Sequence, residues 1–521
     1  MSEEHKKVTR AAGINSAATS LSRVLGLVRD MTMTYFFGTT NVASSFLFAF
    51  TVPNLLRKLF GEGAMASAFV PLFAESLHKE GKEPAYESAS VLLTILSGLL
   101  ALIAISIAGI CLTLAAFVSD DSNWKLTMLL TALMIPYCIL ICLTAVCGAM
   151  LNTMGHFAKP ALAPVILNIT IIVFAWLGAV LTGHTIDKQI YVVAVGVLIG
   201  GAGQLGLQIP ELRRRGFHFA FLWQPSHAFV TRIVTIMAPA VLGVGVTQFN
   251  IMVDRFLAKI VNERGVSVLF YADRLVELPL GVFGVALATA VLPSISFFAA
   301  RNEMKGFTAA VAFSMRQIAF IIIPSMVGLL LLAEPVIALL FQRGEFTAQS
   351  TMYTARALQY YALGLTGFAF MKIIVPAFYA RKDTRTPVKV GVCVLVLNVI
   401  LNLVLMQFME ERGLALSTTI CAYVNTGTLL ILLRKKTGPL GMRRVISSLV
   451  KIMINAAVMG CVVWLTLSWV SNFASSEHIT GRLLLVFLPL CAGLLSYIGL
   501  AILSGQTELR ELLSAYFHLK R

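Results

Sequence analysis

The sequence predicts an all-α polytopic membrane protein of about fourteen transmembrane helices, arranged as two six-helix lobes followed by two C-terminal helices. Three observations carry that prediction. Hydrophobic residues make up 58% of the 521 positions and charged residues only 13%, and mean hydropathy is +0.84. Apolar runs of about 20 residues, enough to cross a hydrocarbon core of about 30 Å, recur along almost the whole chain. The polar stretches between them reach only about 25 residues, too few to bury a core of their own.

Taken in order, the apolar segments fall at 13–37, 42–60, 88–118, 125–151, 160–182 and 190–209, then at 228–260, 269–298, 308–333, 351–379, 387–408 and 413–434, and finally at 447–471 and 482–504. The first carries Arg23, Arg29 and Asp30 around Gly26, and the second has Arg57 and Lys58 after Pro53. An internal echo supports two lobes. Ala64-Met-Ala-Ser-Ala-Phe-Val-Pro71 resembles Ala286-Leu-Ala-Thr-Ala-Val-Leu-Pro293, each with a proline upstream, Pro53 or Pro279. A fainter echo pairs Lys159-Pro160 … Asn168 with Thr386-Pro387 … Asn398. The boundaries are therefore 1–227 for an N-lobe, 228–440 for a C-lobe, and 441–521 for the last two spans with a tail. That tail, Thr507 to Arg521, reads as a short amphipathic surface helix. In two-lobe transporters the substrate site forms at the repeat interface and access alternates between the two sides.

The net charge of +16 does not indicate nucleic-acid binding, because the basic residues alternate by side. Lys6, Lys7 and Arg10, Lys79 and Lys82, Lys159, Arg213 to Arg215, Arg301 and Lys305, Arg381, Lys382 and Arg385, Lys435 and Lys436, Arg443 and Arg444, and Lys520 and Arg521 fall on one set of connections. The alternate set carries few, such as Lys125, Lys188 and Arg264, beside acids such as Asp120, Asp121 and Glu411. Short basic connections stay cytoplasmic, so both termini are expected in the cytoplasm. The start, Met-Ser-Glu-Glu-His-Lys-Lys, is polar and shows no cleavable signal peptide. The eight cysteines lie in apolar segments without a metal-ligand spacing and read as small buried hydrophobes.

Charge inside the spans is the informative feature. An ionisable group at membrane depth costs about 2.5–3.5 kcal/mol on insertion scales and faces a partner or a wet cavity. Arg23 and Arg29 lie about 120° apart around a helix and about 9 Å apart along it, so they can line one wide cavity. Asp273 and Glu277 share a face at i, i+4, and Arg274 sits three residues before Glu277. Guanidinium binds phosphate oxygens through parallel hydrogen bonds. Arg23, Arg29, Arg57 and Arg274 therefore point to a diphosphate or larger polyanionic head group, with Asp30, Asp273 and Glu277 supporting them. The bland readings are snorkelling for Arg57 and Lys58 and a structural ion pair for Arg274. Arg356 and Lys372 are weaker cavity candidates, and Arg316 reads as a residue near a helix end. Neither a metalloprotease, a nucleotide-binding P-loop nor a nucleophile-elbow motif is present, so the chain reads as a transporter, not an enzyme, with no cofactor.

Five segments resemble one family in order along essentially the whole chain. They are Leu21-Ser-Arg-Val-Leu-Gly-Leu-Val-Arg-Asp30, Pro53-Asn-Leu-Leu-Arg57, Gly61-Glu-Gly-Ala64, Tyr271-Ala-Asp-Arg-Leu-Val-Glu-Leu-Pro279 and Leu340-Phe-Gln-Arg-Gly-Glu-Phe346. The chain is similar to the MurJ (MviN) lipid II flippase family of the multidrug/oligosaccharidyl-lipid/polysaccharide exporter superfamily. The resemblance implies two six-helix lobes around a central cationic cavity, and a groove on the last two spans for an undecaprenyl tail. It implies movement of lipid II, undecaprenyl-diphosphate-MurNAc-pentapeptide-GlcNAc, to the outer leaflet of the bacterial cytoplasmic (inner) membrane for peptidoglycan synthesis. The family's functional arginines match Arg23, Arg29, Arg57 and Arg274, and its eighth-span acid matches Glu277. Ser44 departs from members that carry Asp there. Implied partners are lipid II, membrane lipids and the cell-wall synthesis machinery. Energy is expected from a coupling cation (Na⁺ or H⁺), for which Asp254 and Asp383 are candidates, or from the membrane potential.

Three rivals remain at this stage: a flippase for another polyprenyl-diphosphate glycan, a multidrug or cation antiporter, and a scaffold that recruits cell-wall enzymes. An antiporter for cations wants buried acids, and a scaffold needs no deep arginines.

Overall fold

The computed structural model describes residues 3–61, 63–119, 122–475 and 478–518. The side chains of Lys6, Lys7, Arg10, Asp120, Asp121, Lys520 and Arg521, used above to orient the chain, lie outside the described groups. The described residues are helical and contain no strand. Contacts divide the chain into two compact units, Met1–Lys259 and Ile260–Arg521.

The first unit contains α1 (Glu3–Phe37), α2 (Asn41–Leu56), α3 (Ala64–Lys79), α4 (Lys82–Phe117), α5 (Asn123–Met134), α6 (Tyr137–Thr153), α7 (Ala158–Thr182), α8 (Ile186–Arg214) and most of α9 (Ala228–Val261). The second contains α10 (Gly265–Pro279), α11 (Val285–Ala300), α12 (Met304–Phe341), α13 (Ala348–Leu363), α14 (Leu365–Ala380), α15 (Arg385–Met409), α16 (Glu411–Thr437), α17 (Met442–Ser471), α18 (Ile479–Leu503) and α19 (Thr507–His518).

Eight of these helices are long and apolar enough to cross a membrane, and up to twelve spans result if each bent pair counts as one. The bent pairs are α5–α6, the two arms of α9, α10–α11 and α13–α14, with bends between 40° and 63°. Sequence periodicity read each as one span, because the apolar run continues across the break. The break in α5–α6 falls at Pro136, which supplies no N–H to the ladder. Two expected spans lie outside the count. The α1 stretch is diluted by Arg23, Arg29 and Asp30, and α2 is only 16 residues long.

The internal echo has a structural form. In the first unit α2 runs into a five-residue π turn, Arg57–Gly61, and then the 16-residue α3 with Pro71 inside it. In the second, α10 runs into a π turn of the same length, Leu280–Gly284, and then the 16-residue α11 with Pro293 inside it. Pro53 and Pro279 precede the two turns. Proline removes a ladder donor and crowds the preceding turn, and a π turn is one way a helix absorbs that mismatch.

Helix packing in the first unit uses glycine where backbones come close. A Cβ at Gly200 would meet Thr170 Oγ1 at 2.4 Å, and one at Gly196 would meet the Phe174 ring at 2.6 Å. These contacts seat α8 against α7. In the second unit Gly460 of α17 faces α12, where a Cβ would meet Val327 Cγ1 at 2.9 Å.

Candidate functional site

In the first unit α1 presents Arg29 on the side packed against α7, at 11% side-chain exposure. Its Nε donates to Asp30 Oδ1 at 3.0 Å and its Nη2 to the same oxygen at 2.6 Å. Its Nη1 donates to Asn168 Oδ1 on α7 at 3.1 Å. Asn168 closes the bracket by donating from Nδ2 to the Ser22 carbonyl at 3.1 Å. That carbonyl lies one turn before Gly26 on α1. A Cβ at Gly26 would stand 3.8 Å from Asn168 Nδ2, and α1 is unbroken there. A Cβ there would make only ordinary contact, so Gly26 is required neither for a bend nor for close approach.

A guanidinium has five N–H donors. Three are used on Asp30 and Asn168, which leaves 5 − 3 = 2 for another acceptor. Arg23 is exposed, and Arg57 and Lys58 are half-buried in the π turn. The turn changes the helical phase after Leu56 and so redirects the side chains of residues 57–61.

In the second unit Arg274 and Glu277 are both more open. Arg274 Nη1 donates to Glu277 Oε2 at 3.4 Å, with side-chain exposures of 40% and 60%. The guanidinium also lies 5.1 Å from the Phe270 ring centroid. Asp273 is half-buried beside it. All three lie one to two turns before the second π turn.

Sequence reasoning missed Asn168 as the partner of Arg29, having noted it only as part of a repeat. The available signal was an amide in an otherwise apolar segment, where a polar side chain needs a partner. It also missed Lys259. This lysine of α9 is 4% exposed; its Nζ donates to Asn41 Oδ1 and, at 2.8 Å, to Ser45 Oγ on α2. Thr127 Oγ1 of α5 donates to the same Ser45 Oγ at 2.9 Å. Ser44, the departure from the family pattern, is fully buried beside this network.

The remaining candidates are dispersed. Asp254 accepts from Asn250 Nδ2 at 3.3 Å. Asp383, between α14 and α15, accepts from the Thr386 backbone N–H at 3.0 Å, from Thr386 Oγ1 at 2.7 Å and from Lys436 Nζ. Burial pushes its carboxyl up, but the Lys436 and Thr386 hydrogen bonds outweigh that and hold it down at about 2. Among the described residues no group of three His, Cys, Asp or Glu side chains comes together. Arg316 is more than a helix-end residue: its Nη1 donates to Glu508 Oε1 of α19 at 2.8 Å, and Glu508 also accepts from Ser448 Oγ at 2.7 Å. Arg356 and Lys372 are exposed. An apolar cleft of about 330 Å³ opens between α12 and α17, lined by residues including Leu330, Leu331, Gly460 and Trp464.

Helices long enough to cross a membrane, broken in pairs and carrying amide-braced arginine, define a polytopic membrane protein. The same fold occurs in an inward-facing multidrug resistance MATE family transporter of the MOP superfamily, which is 16% identical with a TM-score of 0.67 and covers 83% of this chain and 99% of its own. A structure of lipid II flippase MurJ in an inward closed conformation is 29% identical with a TM-score of 0.78, over 96% of this chain and 99% of that one. The family model described as lipid II flippase MurJ matches residues 33–484. A probable lipid II flippase MurJ of Vibrio cholerae is 36% identical over 437 residues, 81% of this chain and 82% of the relative. The lipid II flippase MurJ of Burkholderia cenocepacia is 34% identical over 430 residues, 81% and 83% of the two chains. The chain belongs to the lipid II flippase MurJ family.

Proposed function

We propose that this chain is a lipid II flippase that carries the undecaprenyl-diphosphate-linked peptidoglycan precursor from the inner to the outer leaflet of the bacterial cytoplasmic membrane by alternating access. The observation that carries the reading is the braced guanidinium of Arg29 on α1, with two donors left over. Arg23, Arg57 and Arg274 are further candidate anion contacts, with Asp30, Asp273 and Glu277 as supporting acids. Asp30 is buried but bonded to Arg29, which weighs against a cation antiporter that would use it as a bare acid. The apolar cleft beside α17 suits a segment of polyprenyl chain.

On this reading the functional regions are 1–227, 228–440 and 441–521, about fourteen spans are present, and both termini are cytoplasmic. The basic connections support that orientation. Resetting uses a cation gradient (Na⁺ or H⁺) or the membrane potential, which supplies about 2.3 kcal/mol per charge per 100 mV. The engagement of Asp383 with Lys436 favours the potential over a cation at Asp383.

The test is outer-leaflet exposure of lipid II in cells depleted of their own flippase and supplied with this chain, read by an external enzyme that cleaves only exposed lipid II. Restoration by wild type, and loss with Arg29→Ala or Arg274→Ala, is the expected result. Failure of well-expressed wild type to restore cleavage would overturn the proposal.

A further inference from the structure

The link from α8 to α9 carries an aromatic strap. Residues 217–224 are neither helix nor strand, and every second side chain from Phe217 to Trp223 is aromatic: Phe217, Phe219, Phe221, Trp223. Phe217 is buried, its ring 5.6 Å from that of Tyr86 on α4. Tyr86 Oη also donates to the Arg215 carbonyl at 2.9 Å. Farther along, the Leu222 N–H donates to Thr94 Oγ1 at 3.3 Å, and the Trp223 ring lies where a Cβ on Gly98 would come within 2.7 Å of it.

These contacts fix the path. Tyr86 and Gly98 lie about 18 Å apart along a helix, and six extended residues reach about 20 Å. The strap is therefore nearly straight and runs beside α4. It starts at the polar first turns of α4, which hold Lys82, Glu83 and Glu87, and ends in its apolar part. It crosses the level where water gives way to hydrocarbon. Phe219, Phe221 and Trp223 are 55%, 74% and 58% exposed. Aromatic rings at that level prefer the headgroup boundary to water.

The arginines before the strap divide their work. Arg215 is committed to the protein, with Nε on Glu211 Oε1 at 3.1 Å and Nη1 on the Met154 carbonyl at 2.9 Å. Arg213 and Arg214 are exposed at the polar end. Two free guanidinium groups beside a row of exposed aromatics match a surface of phosphodiesters over acyl chains.

We infer that residues 213–223 form an interfacial anchor for anionic phospholipid, with Arg213 and Arg214 on lipid phosphates and Phe219, Phe221 and Trp223 in the boundary beneath them. The anchor pins the α8–α9 link to the bilayer.

The test uses the full chain in lipid nanodiscs and the fluorescence of Trp223, isolated by subtracting a Trp223→Phe variant. Phosphatidylglycerol or phosphatidylcholine brominated near the headgroup is included as quencher. Wild type should be quenched more by the brominated phosphatidylglycerol. Arg213→Gln/Arg214→Gln should lower that preference by about fivefold for each arginine at low salt, the usual scale for a basic residue near an anionic surface. Phe219→Ser/Phe221→Ser should shift Trp223 toward quenching by aqueous iodide. Equal quenching of wild type by both lipids would overturn the assignment. So would iodide access without lipid quenching, which would place the strap in water and indicate a protein occupant.

Discussion

Arg29 in the first unit and Arg274 in the second are held very differently. Arg29 is almost closed off, and three of its donors are fixed by Asp30 and Asn168. Arg274 is 40% exposed and meets Glu277 at 3.4 Å, within its own helix. A guanidinium braced from a second helix is preorganised; one paired at i, i+3 on an open face can change partners at small cost. Arg29 is therefore fixed from a second helix.

The contrast can be broken most severely at Arg29. Arg29→Ala removes the guanidinium bonded to buried Asp30 and to Asn168, which should cost roughly 3 kcal/mol and abolish lipid II exposure. Thermal unfolding in detergent, together with the cleavage assay, reads both effects. Arg29→Lys should regain part of the stability but little of the transport, since an ammonium cannot hold Asp30 and Asn168 in the same fork. Equal transport by Lys and Arg there would contradict a braced role.

Asn168→Leu tests the brace without touching the charge. It removes one hydrogen bond to a cation and should lower transport about tenfold or more, on a scale of about 1.5–3 kcal/mol for such a bond. Asn168→Asp, which restores an acceptor, should recover more than Leu does. Next in size is Gly460→Val on α17. Filling the approach to Val327 should cost about 1–3 kcal/mol by overpacking, and it should slow transport of a long-tailed substrate more than that of a short-tailed analogue. Comparable slowing of both would separate the cleft from the tail.

The smallest effects belong to open pairs. Glu277→Gln should change stability by less than about 1 kcal/mol, while altering the dependence of transport on lipid II concentration. Asp383 gives the pH counterpart. Its carboxyl is held at about 2 in the folded chain, against an ordinary 3.8. Its contribution is therefore fully present above pH 3.8 and is lost as pH falls toward 2. The melting temperature of wild type should drop across that window, and that of Asp383→Asn should drop less.

The unusual charges of the chain were legible in the sequence. Charge at membrane depth is expensive enough that Arg23, Arg29, Arg57 and Arg274 stand out in a linear reading. The repeat was legible through Pro71 and Pro293, whose surroundings match. What was not legible was who holds whom. Asn168 is 139 residues from Arg29, and Lys259 is 218 from Asn41; no local periodicity encodes either pairing. Arg316 looked like a helix-end residue because its partner Glu508 lies 192 positions away.

The sequence by itself determined the solvent and the class of structure. Apolar runs of membrane length can bury their backbone polarity in lipid only as helices, and five ordered motifs are enough to place the family. Only the tertiary structure decided the two π turns, the breaks that divide continuous apolar runs, and the acceptors that hold Arg29. Those depend on which helix lies beside which. A guanidinium is fixed or free according to acceptors brought in from elsewhere in the chain, as Asn168 of α7 is brought to Arg29.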